Sequence, residues 1–245
     1  MQHLGATRSA LARNHALLTP DTFVRAPLPG MKAATAVVHT SPAMRAAFTQ
    51  YTAEFEPGGE LGPTLLQRFV YVLEGEVTVT LAGRDQSLVP GGYAYFPDGD
   101  GLVRASSRAR AAVIEKPYQP LAGTRPPAPF AAIENAVPGE PLDGDDWLIV
   151  RKLVPDDPAF DFAVNTMLYL PGAALSMVEA HVMEHGLLML EGGGIYRLDD
   201  RWYPVAAGDF IWMGPWCPQW FGALGKAPAK YLIYKDWNRH PLATK

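Results

Sequence analysis

The sequence predicts an all-β protein built of two similar β-barrels in tandem. Two observations support this prediction. Glycine and proline occur 23 times each in the 245 residues, and apolar residues come in short bursts between these turn formers, as in proteins made of short strands. A long segment of the first half of the chain also reappears in the second half, which indicates a duplicated domain.

The repeat aligns without a gap at an offset of 117 residues. The first copy, YVLEGEVTVTLAGRDQSLVPGGYAYFPDG, begins at Tyr71, and the second, LMLEGGGIYRLDDRWYPVAAGDFIWMGPW, begins at Leu188. The shared Leu-Glu-Gly lies at 73–75 and 190–192. A repeat of this length is too long for a solenoid, so each copy is expected to be a barrel of its own.

Both copies have the same order of predicted elements. A strand ends in a glycine turn, an alternating strand and a hairpin turn follow, and another strand leads through a second glycine turn into an aromatic strand. The hairpin turns fall at 82–84 in VTVTLAGRDQSLV and at 199–200 in GIYRLDDRWYPV. The candidates for helices are short, SALARNHALL at 9–18 and PAMRAAF at 42–48.

A proline-rich segment separates the copies. KPYQPLAGTRPPAPF, residues 116–130, contains five prolines and is expected to be extended rather than regular. We therefore predict an N-terminal barrel at 1–120, a linker and connecting segment at 121–145, and a C-terminal barrel at 146–245.

Composition argues against several classes of function. The formal net charge of −4 does not suit a nucleic-acid-binding surface, and the apolar runs are too short to span a bilayer. The first twenty residues lack the compact apolar core of a signal peptide, and the single cysteine, Cys217, cannot form an internal disulfide. We expect a cytoplasmic protein with no membrane or nucleic-acid partner.

The stretch EAHVMEHGLLMLEGGG, residues 179–194, has two interpretations. His-Val-Met-Glu-His matches the H-x-x-E-H pattern of one class of zinc peptidase, which requires a helix. Gly186 and the glycines at 192–194 oppose a helix, and the aligned first copy is a strand. In a strand, Glu179, His181 and His185 face one side and Glu184 faces the other.

These three side chains form a mixed nitrogen and oxygen donor set, and Gln219 lies on a returning strand at the position where the barrel family that the chain resembles, named below, has its last ligand. Such a set suits Mn²⁺, Fe²⁺ or a similar ion with open coordination positions, and does not favour a closed structural zinc site. The alternative is that the histidines are satisfied by hydrogen bonds inside a barrel and that Gln219 is an amide at its rim.

The first copy has lost this donor set. The positions equivalent to Glu179, His181, His185 and Gln219 are Gly62, Thr64, Arg68 and Leu102. Because none of these replacements is a good metal ligand, we expect the N-terminal barrel to be metal-free and to serve as a scaffold. Its charged residues, such as Glu60, Glu74 and Arg68, are expected to lie at solvated rims or to form ion pairs at the barrel mouth, without a further function.

The His and Glu cluster, the following Leu-Glu-Gly and the AAGDF segment before an aromatic strand resemble the cupin double motif. Two copies imply a bicupin, that is, two tandem jelly-roll-like β-barrels with short N-terminal and linker segments. The whole chain also resembles the (S)-ureidoglycine aminohydrolases of purine (allantoin) catabolism. That similarity runs through NHALLTPDTFV at 14–24, FDFAVNTMLYLPG at 160–172 and YKDWNRHP at 234–241.

This resemblance implies a metal-dependent hydrolase that converts (S)-ureidoglycine, a small anionic ureido compound, to (S)-ureidoglycolate and ammonia. It implies Mn²⁺, with Fe²⁺ as an alternative, held by Glu179, His181, His185 and Gln219. It further implies substrate contacts from Tyr196, Tyr231 and Lys235, and catalytic roles for Glu179, Lys235 and Tyr196.

The strand pattern is consistent with the implied contacts. Tyr231, Ile233 and Lys235 share one face of a late strand, and a lysine inside a barrel is costly unless it meets an anion. The plainer interpretations are a surface lysine at a strand end and tyrosines that only pack the barrel.

Two other classes of function stay open at this point. One is a different metal-dependent bicupin enzyme, such as an Fe²⁺ dioxygenase, and the other is a non-enzymatic pirin-like or ligand-sensing cupin. The absence of a helix-turn-helix segment and of a basic patch disfavours a sensor that binds DNA. Exposed strand edges and aromatic-rich strands lead us to expect a homo-oligomer.

Overall fold

A computed structural model describes residues 6–97 and 101–239. The chain forms two compact units. One unit is Val24–Val137, here called the first barrel, and the other combines the described parts of Met1–Phe23 and Pro138–Lys245, here called the second barrel. The described residues are strands, turns and the short 3₁₀ helices Pro20–Thr22, Pro42–Met44 and Glu134–Ala136, so the prediction of an all-β fold is confirmed.

The strands are numbered in chain order. The N-terminal pair is β1 (Ala10–Leu11) and β2 (His15–Leu18). The first barrel contains β3 (Arg25–Ala26), β4 (Met31–Thr40), β5 (Thr49–Leu61), β6 (Gln67–Glu74), β7 (Val77–Leu81), β8 (Arg84–Leu88), β9 (Gly92–Phe96), β10 (Val103–Ala105), β11 (Ala109–Lys116) and β12 (Phe130–Ile133). The rest of the second barrel contains β13 (Glu140–Leu142), β14 (Asp145–Lys152), β15 (Phe162–Tyr169), β16 (His185–Glu191), β17 (Gly193–Leu198), β18 (Arg201–Ala206), β19 (Phe210–Met213), β20 (Gln219–Ala223) and β21 (Ala229–Asp236).

The duplication predicted from the sequence is visible in the strand order. The first barrel contains the run β9-β6-β11-β5, and the second contains the matching run β19-β16-β21-β15. In both barrels a hairpin follows the first repeated strand, β7–β8 in one and β17–β18 in the other. Pairing is antiparallel throughout these runs.

Alternation along the strands fills each barrel. In β7 the valines and Leu81 are buried while the threonines between them are partly exposed. Tyr51, Val70, Phe96 and Val113 belong to the apolar core of the first barrel. The core of the second barrel includes the side chains Met167, Tyr169, Tyr196, Phe221, Tyr231 and Ile233.

The N-terminal segment differs from the prediction. Residues 9–18 form β1 and β2 instead of a helix, and they belong to the second barrel rather than to the predicted 1–120 unit. Strand β2 pairs with β19, Leu17 lies in the second barrel's core, and Arg8 donates two hydrogen bonds of 2.6 and 2.8 Å to the buried Asp209. Pairing with an open strand edge outweighs local helix propensity here.

The predicted linker at 121–145 also differs, because it contains strands at its C-terminal part. Strand β12 pairs with β9, and the ring of Phe130 stacks on Tyr95 with centroids 5.6 Å apart. Strand β13 pairs with β14 of the second barrel. The second helical candidate, 42–48, shortens to the 3₁₀ helix Pro42–Met44. Within the described ranges, no helical segment has the length and apolar character needed to cross a membrane.

Candidate active site in the second barrel

The opening of the ligand stretch is not a continuous strand. Strand β16 begins at His185, the chain bends at Val182–Met183, and Glu179 forms an isolated bridge with Gln219. The expectation of an unbroken strand from 179 to 185 is therefore wrong. No helix forms between 179 and 194, which removes the peptidase interpretation.

Backbone contacts explain how this bent segment is held. Glu179 and Gln219 exchange two N–H···O=C hydrogen bonds of 2.8 Å each, and the N–H of Trp216 donates to the carbonyl of His181 at 2.6 Å. Trp216 has a φ of +63°, which is uncommon for a bulky residue and marks local strain. The segment that precedes β16 is thus fixed to the segment that leads into β20.

The four predicted ligands gather at this place. His181 Nε2 lies 3.1 Å from Glu179 Oε2, and the His181 and His185 rings meet edge to face with centroids 5.5 Å apart. Gln219 begins β20, where its Oε1 accepts a hydrogen bond of 3.0 Å from the Tyr196 hydroxyl. Among the described residues, no three His, Cys, Asp or Glu side chains form a ready metal cluster.

His185 carries the clearest sign of a missing partner. It is 3% exposed, and neither ring nitrogen makes a hydrogen bond. Burial first, and then the charge of Lys235, hold the pKa of His185 well below its ordinary value, so the ring is neutral. The nearby Tyr234 carbonyl opposes this shift in pKa without reaching hydrogen-bond geometry. A buried neutral imidazole with unpaired nitrogens is costly alone but suited to ligate a metal.

Lys235 lies directly across from His185 in the β16–β21 pairing. Burial lowers the pKa of this lysine, and the carboxylate of Glu179 partly offsets the effect. The side chain is only partly exposed, and its Nζ lies 5.9 Å from the centre of the Trp237 ring. A cation therefore stands beside the predicted ligands, as expected for a site that takes an anion.

Three buried tyrosines line the same interior. Tyr196 contacts Gln219 as described, and the hydroxyl of Tyr231 lies 2.7 Å from that of Tyr169. Burial raises the pKa of each phenol well above its ordinary value, so all three remain neutral donors and acceptors. The sequence argument missed Tyr169, although its alternate spacing with Met167 on a strand was a usable signal.

Glu184 lies on the other side of the chain from these groups. Its carboxylate accepts a hydrogen bond of 3.0 Å from the indole of Trp212. The neighbours of Trp212 on β19, Ile211 and Met213, belong to the barrel core, so Trp212 and with it Glu184 face away from the barrel interior, although both side chains are buried. This outward orientation agrees with the sequence argument.

The corresponding place in the first barrel contains an ion pair. Arg68, the counterpart of His185, is 3% exposed and lies 2.6 Å from Glu115. Its guanidinium also donates to the carbonyls of Gly62 and Gly101. The sequence argument expected solvated rims or ion pairs at the barrel mouth; Arg68 does form an ion pair, but its side chain is buried.

Comparison with protein-family models agrees with the duplicated barrel. Residues 43–118 match a family described as EutQ-like cupin domain, and residues 165–234 match the cupin domain family. Each match lies within one of the two repeated units.

Two relatives of known name match the chain over most of its length. The (S)-ureidoglycine aminohydrolase of Arabidopsis thaliana is 39% identical over 97% of this chain and 80% of its own. The enzyme of the same name from Escherichia coli K12 is 33% identical, over 92% of this chain and 89% of its own. Among solved structures, the Ylba protein of E. coli superposes with a TM-score of 0.84 at 29% identity and covers 96% of both chains.

Proposed function

Because the chain belongs to the (S)-ureidoglycine aminohydrolase family of cupins, we propose that its second barrel hydrolyses (S)-ureidoglycine to (S)-ureidoglycolate and ammonia. This reaction is a step of purine and allantoin catabolism. The chain is an enzyme of the bicupin fold. The observation that carries the assignment of the site is His185, a buried neutral imidazole without hydrogen bonds beside His181 and Glu179.

The donor set fits a divalent ion such as Mn²⁺. Two imidazoles, one carboxylate and one amide oxygen would hold it, from His181, His185, Glu179 and Gln219. Such an ion, when bound, supplies a positive charge that fixes and polarises the donor atoms of the substrate. The hydrogen bond from Tyr196 to Gln219 Oε1 orients the amide oxygen for this role.

The substrate carries a carboxylate, an amine and a ureido group on one carbon. Lys235 binds the carboxylate, because its partly buried ammonium is otherwise costly and lies beside the ligand cluster. The phenols of Tyr196 and Tyr231 are neutral hydrogen-bonding groups that orient the remaining polar atoms. A fixed orientation of this kind accounts for a single stereoisomer of product.

The reaction breaks the bond from the central carbon to the amine nitrogen and forms a bond from that carbon to a water oxygen. The amine leaves as ammonia after gaining a proton, and the attacking water loses one. Glu179 moves this proton, because its carboxylate lies at the ligand cluster, 3.1 Å from His181 Nε2. The net change is one water consumed and one ammonia released.

The test is ammonia release from freshly generated ureidoglycine, with bound metal measured on the same sample. We expect His181→Ala to lose both metal and turnover. Glu184→Gln is the matched control, since it changes the carboxylate of the same segment that faces away from the ligands, keeps an acceptor for the Trp212 indole, and should keep both metal and turnover. Undiminished turnover by His181→Ala would overturn the metal-site assignment. Oxygen consumption in place of ammonia release would favour an Fe²⁺ dioxygenase instead.

We also propose that the enzyme works in the cytoplasm as a homo-oligomer, with a small anionic ureido substrate and no nucleic-acid or membrane partner. The net charge of −4 supports the absence of a nucleic-acid partner. Light scattering after gel filtration gives the oligomeric state, and a single monomeric mass would overturn that part of the proposal.

A further inference from the structure

A second polar side chain inside the second barrel lacks a partner. Asn165 in the middle of β15 is 5% exposed, and its amide makes no hydrogen bond with any described residue. Its alternate neighbours Met167 and Tyr169 belong to the barrel core, so Asn165 faces the same interior. Both ring nitrogens of His185 are fully enclosed polar atoms without a partner, whereas the amide of Asn165 is not one of those enclosed atoms, so it stays accessible from the interior to a ligand group.

The strand pairing places Asn165 close to the candidate site. It lies directly across from Ile233 on β21, and Lys235 and Tyr231 are its diagonal neighbours on that strand. Diagonal neighbours across an antiparallel pair are about 7–8 Å apart at Cα, within reach of long side chains. Lys235 in turn lies across from His185.

The first barrel supplies an internal comparison. Tyr51 pairs with Val113, two residues before Glu115, just as Asn165 pairs with Ile233, two residues before Lys235. The hydroxyl of Tyr51 donates to Glu115 at 3.1 Å, and the same carboxylate holds Arg68. A side chain at this position therefore points to the place where the site lies. Because asparagine is shorter than tyrosine, we expect the amide of Asn165 to bind a ligand group and not the side chain of a neighbouring residue.

The hydrogen-bonding pattern of the Asn165 amide indicates which group of the substrate it binds. A carboxamide presents one acceptor and one donor side by side, which match the terminal amine and the carbonyl of a ureido group. A carboxylate offers only acceptors and is served by Lys235. We propose that Asn165 is a specificity-determining residue that binds the ureido group of the substrate through two hydrogen bonds. This inference rests on the proposed function and adds the recognition of one substrate group.

The test compares binding of two stable anions to the metal-loaded enzyme by calorimetry. N-carbamoylglycine keeps the carboxylate and the ureido group, and N-acetylglycine replaces the terminal amine by a methyl group. The wild type should bind N-carbamoylglycine about 10–100-fold more tightly, as expected when a site that hydrogen-bonds a polar group meets an analogue without it. Asn165→Leu should abolish this preference by weakening the binding of N-carbamoylglycine alone.

Thr166→Val is the matched control, because residue 166 lies on the opposite face of β15 and the preference should survive. Asn165→Ser serves if the leucine variant fails to fold, since a single hydroxyl cannot make the two-point contact and should lose most of the preference. Retention of the wild-type preference by either Asn165 variant would overturn the role of Asn165 alone. A wild type that neither releases ammonia from ureidoglycine nor binds N-carbamoylglycine would instead overturn the proposed function.

Discussion

Replacing Glu115 by leucine should destabilise the first barrel, because the charge of Arg68 would be left buried without its counter-ion. Arg68 and Glu115 are 3% and 12% exposed, and the carboxylate accepts hydrogen bonds of 2.7 Å from Arg68 Nε and 3.1 Å from Tyr51. Removal of one partner from a buried pair costs about 3–5 kcal/mol. The carbonyls of Gly62 and Gly101 still accept from the guanidinium, so we expect a cost of about 3 kcal/mol.

Hydrogen exchange followed by mass spectrometry can localise this loss. Peptides covering β6 and β11 contain the two residues. A cost of about 3 kcal/mol corresponds to exchange that is roughly 100-fold faster in the variant, if exchange follows local opening. All six tryptophans lie between 147 and 237, within the second barrel, so their fluorescence reports that unit separately.

The control is the double variant Arg68→Met with Glu115→Leu. An apolar pair of similar volume often replaces a buried ion pair at little cost, so most of the protection of β6 and β11 should return, although the carbonyls of Gly62 and Gly101 lose this donor. Ammonia release per folded molecule should stay unchanged in both variants, because the first barrel is proposed as a scaffold. A change of less than threefold in exchange for Glu115→Leu would refute the argument from the buried ion pair. A lost turnover in the well-folded double variant would refute the scaffold role.

Three further outcomes follow from the same contacts. Burial lowers the pKa of His39 to about 3 from an ordinary 6.5, so the stability that this residue contributes is present above pH 6.5 and falls by about 1.4 kcal/mol per pH unit below it. His39→Leu should therefore reduce the slope of the unfolding free energy against pH, measured between pH 6 and 4. An unchanged slope would contradict this. Lys235→Met keeps the apolar part of the side chain but removes the charge, so kcat/KM for ureidoglycine should fall about 10–150-fold while the Tm stays equal or rises. A loss of kcat/KM below threefold would contradict the anion-binding role. A Cβ at Gly194 would collide with the Gly222 carbonyl of β20, so Gly194→Ala should lose soluble protein and bound metal in expression assays. Normal yield of this variant would contradict the close pairing of β17 and β20.

The parts of the fold that the sequence predicts well are those governed by local pairing. Hairpins such as β7–β8 and β17–β18 join neighbouring segments through a turn, so alternation and turn residues suffice to place them. The partner of β2 is β19, almost two hundred residues away, and no local pattern encodes that pairing. The same limit explains why residues 9–18, which read as a helix, form strands.

The same contrast between local and long-range contacts decides which parts of the candidate site the sequence predicts. The one-face pattern of Tyr231, Ile233 and Lys235 follows from the period of a strand, and the core contacts of Tyr231 and Ile233 confirm it. The bend at Val182–Met183 depends on the bridge between Glu179 and Gln219, which joins residues forty positions apart. The full assignment of the metal ligands and the catalytic roles stays a prediction.

The polar side chains at equivalent interior positions are hydrogen-bonded to one another in the first barrel but not in the second. This contrast supports the second barrel as the place where the reaction occurs. In the first barrel, Tyr51, Glu115 and Arg68 satisfy one another through hydrogen bonds and an ion pair. In the second, the equivalent positions hold Asn165, Lys235 and His185, whose polar groups do not satisfy one another.

Unpaired buried groups cost stability, so a barrel without a ligand would be expected to satisfy them internally, as the first barrel does. An orphaned buried imidazole, an amide without a protein partner and a partly buried cation around one interior space are instead what a binding site for a metal and a small anion requires. The cost of leaving them unpaired in the free protein is offset when the ligands bind. For that reason the second barrel is the one that we expect to lose stability when metal and substrate are withdrawn.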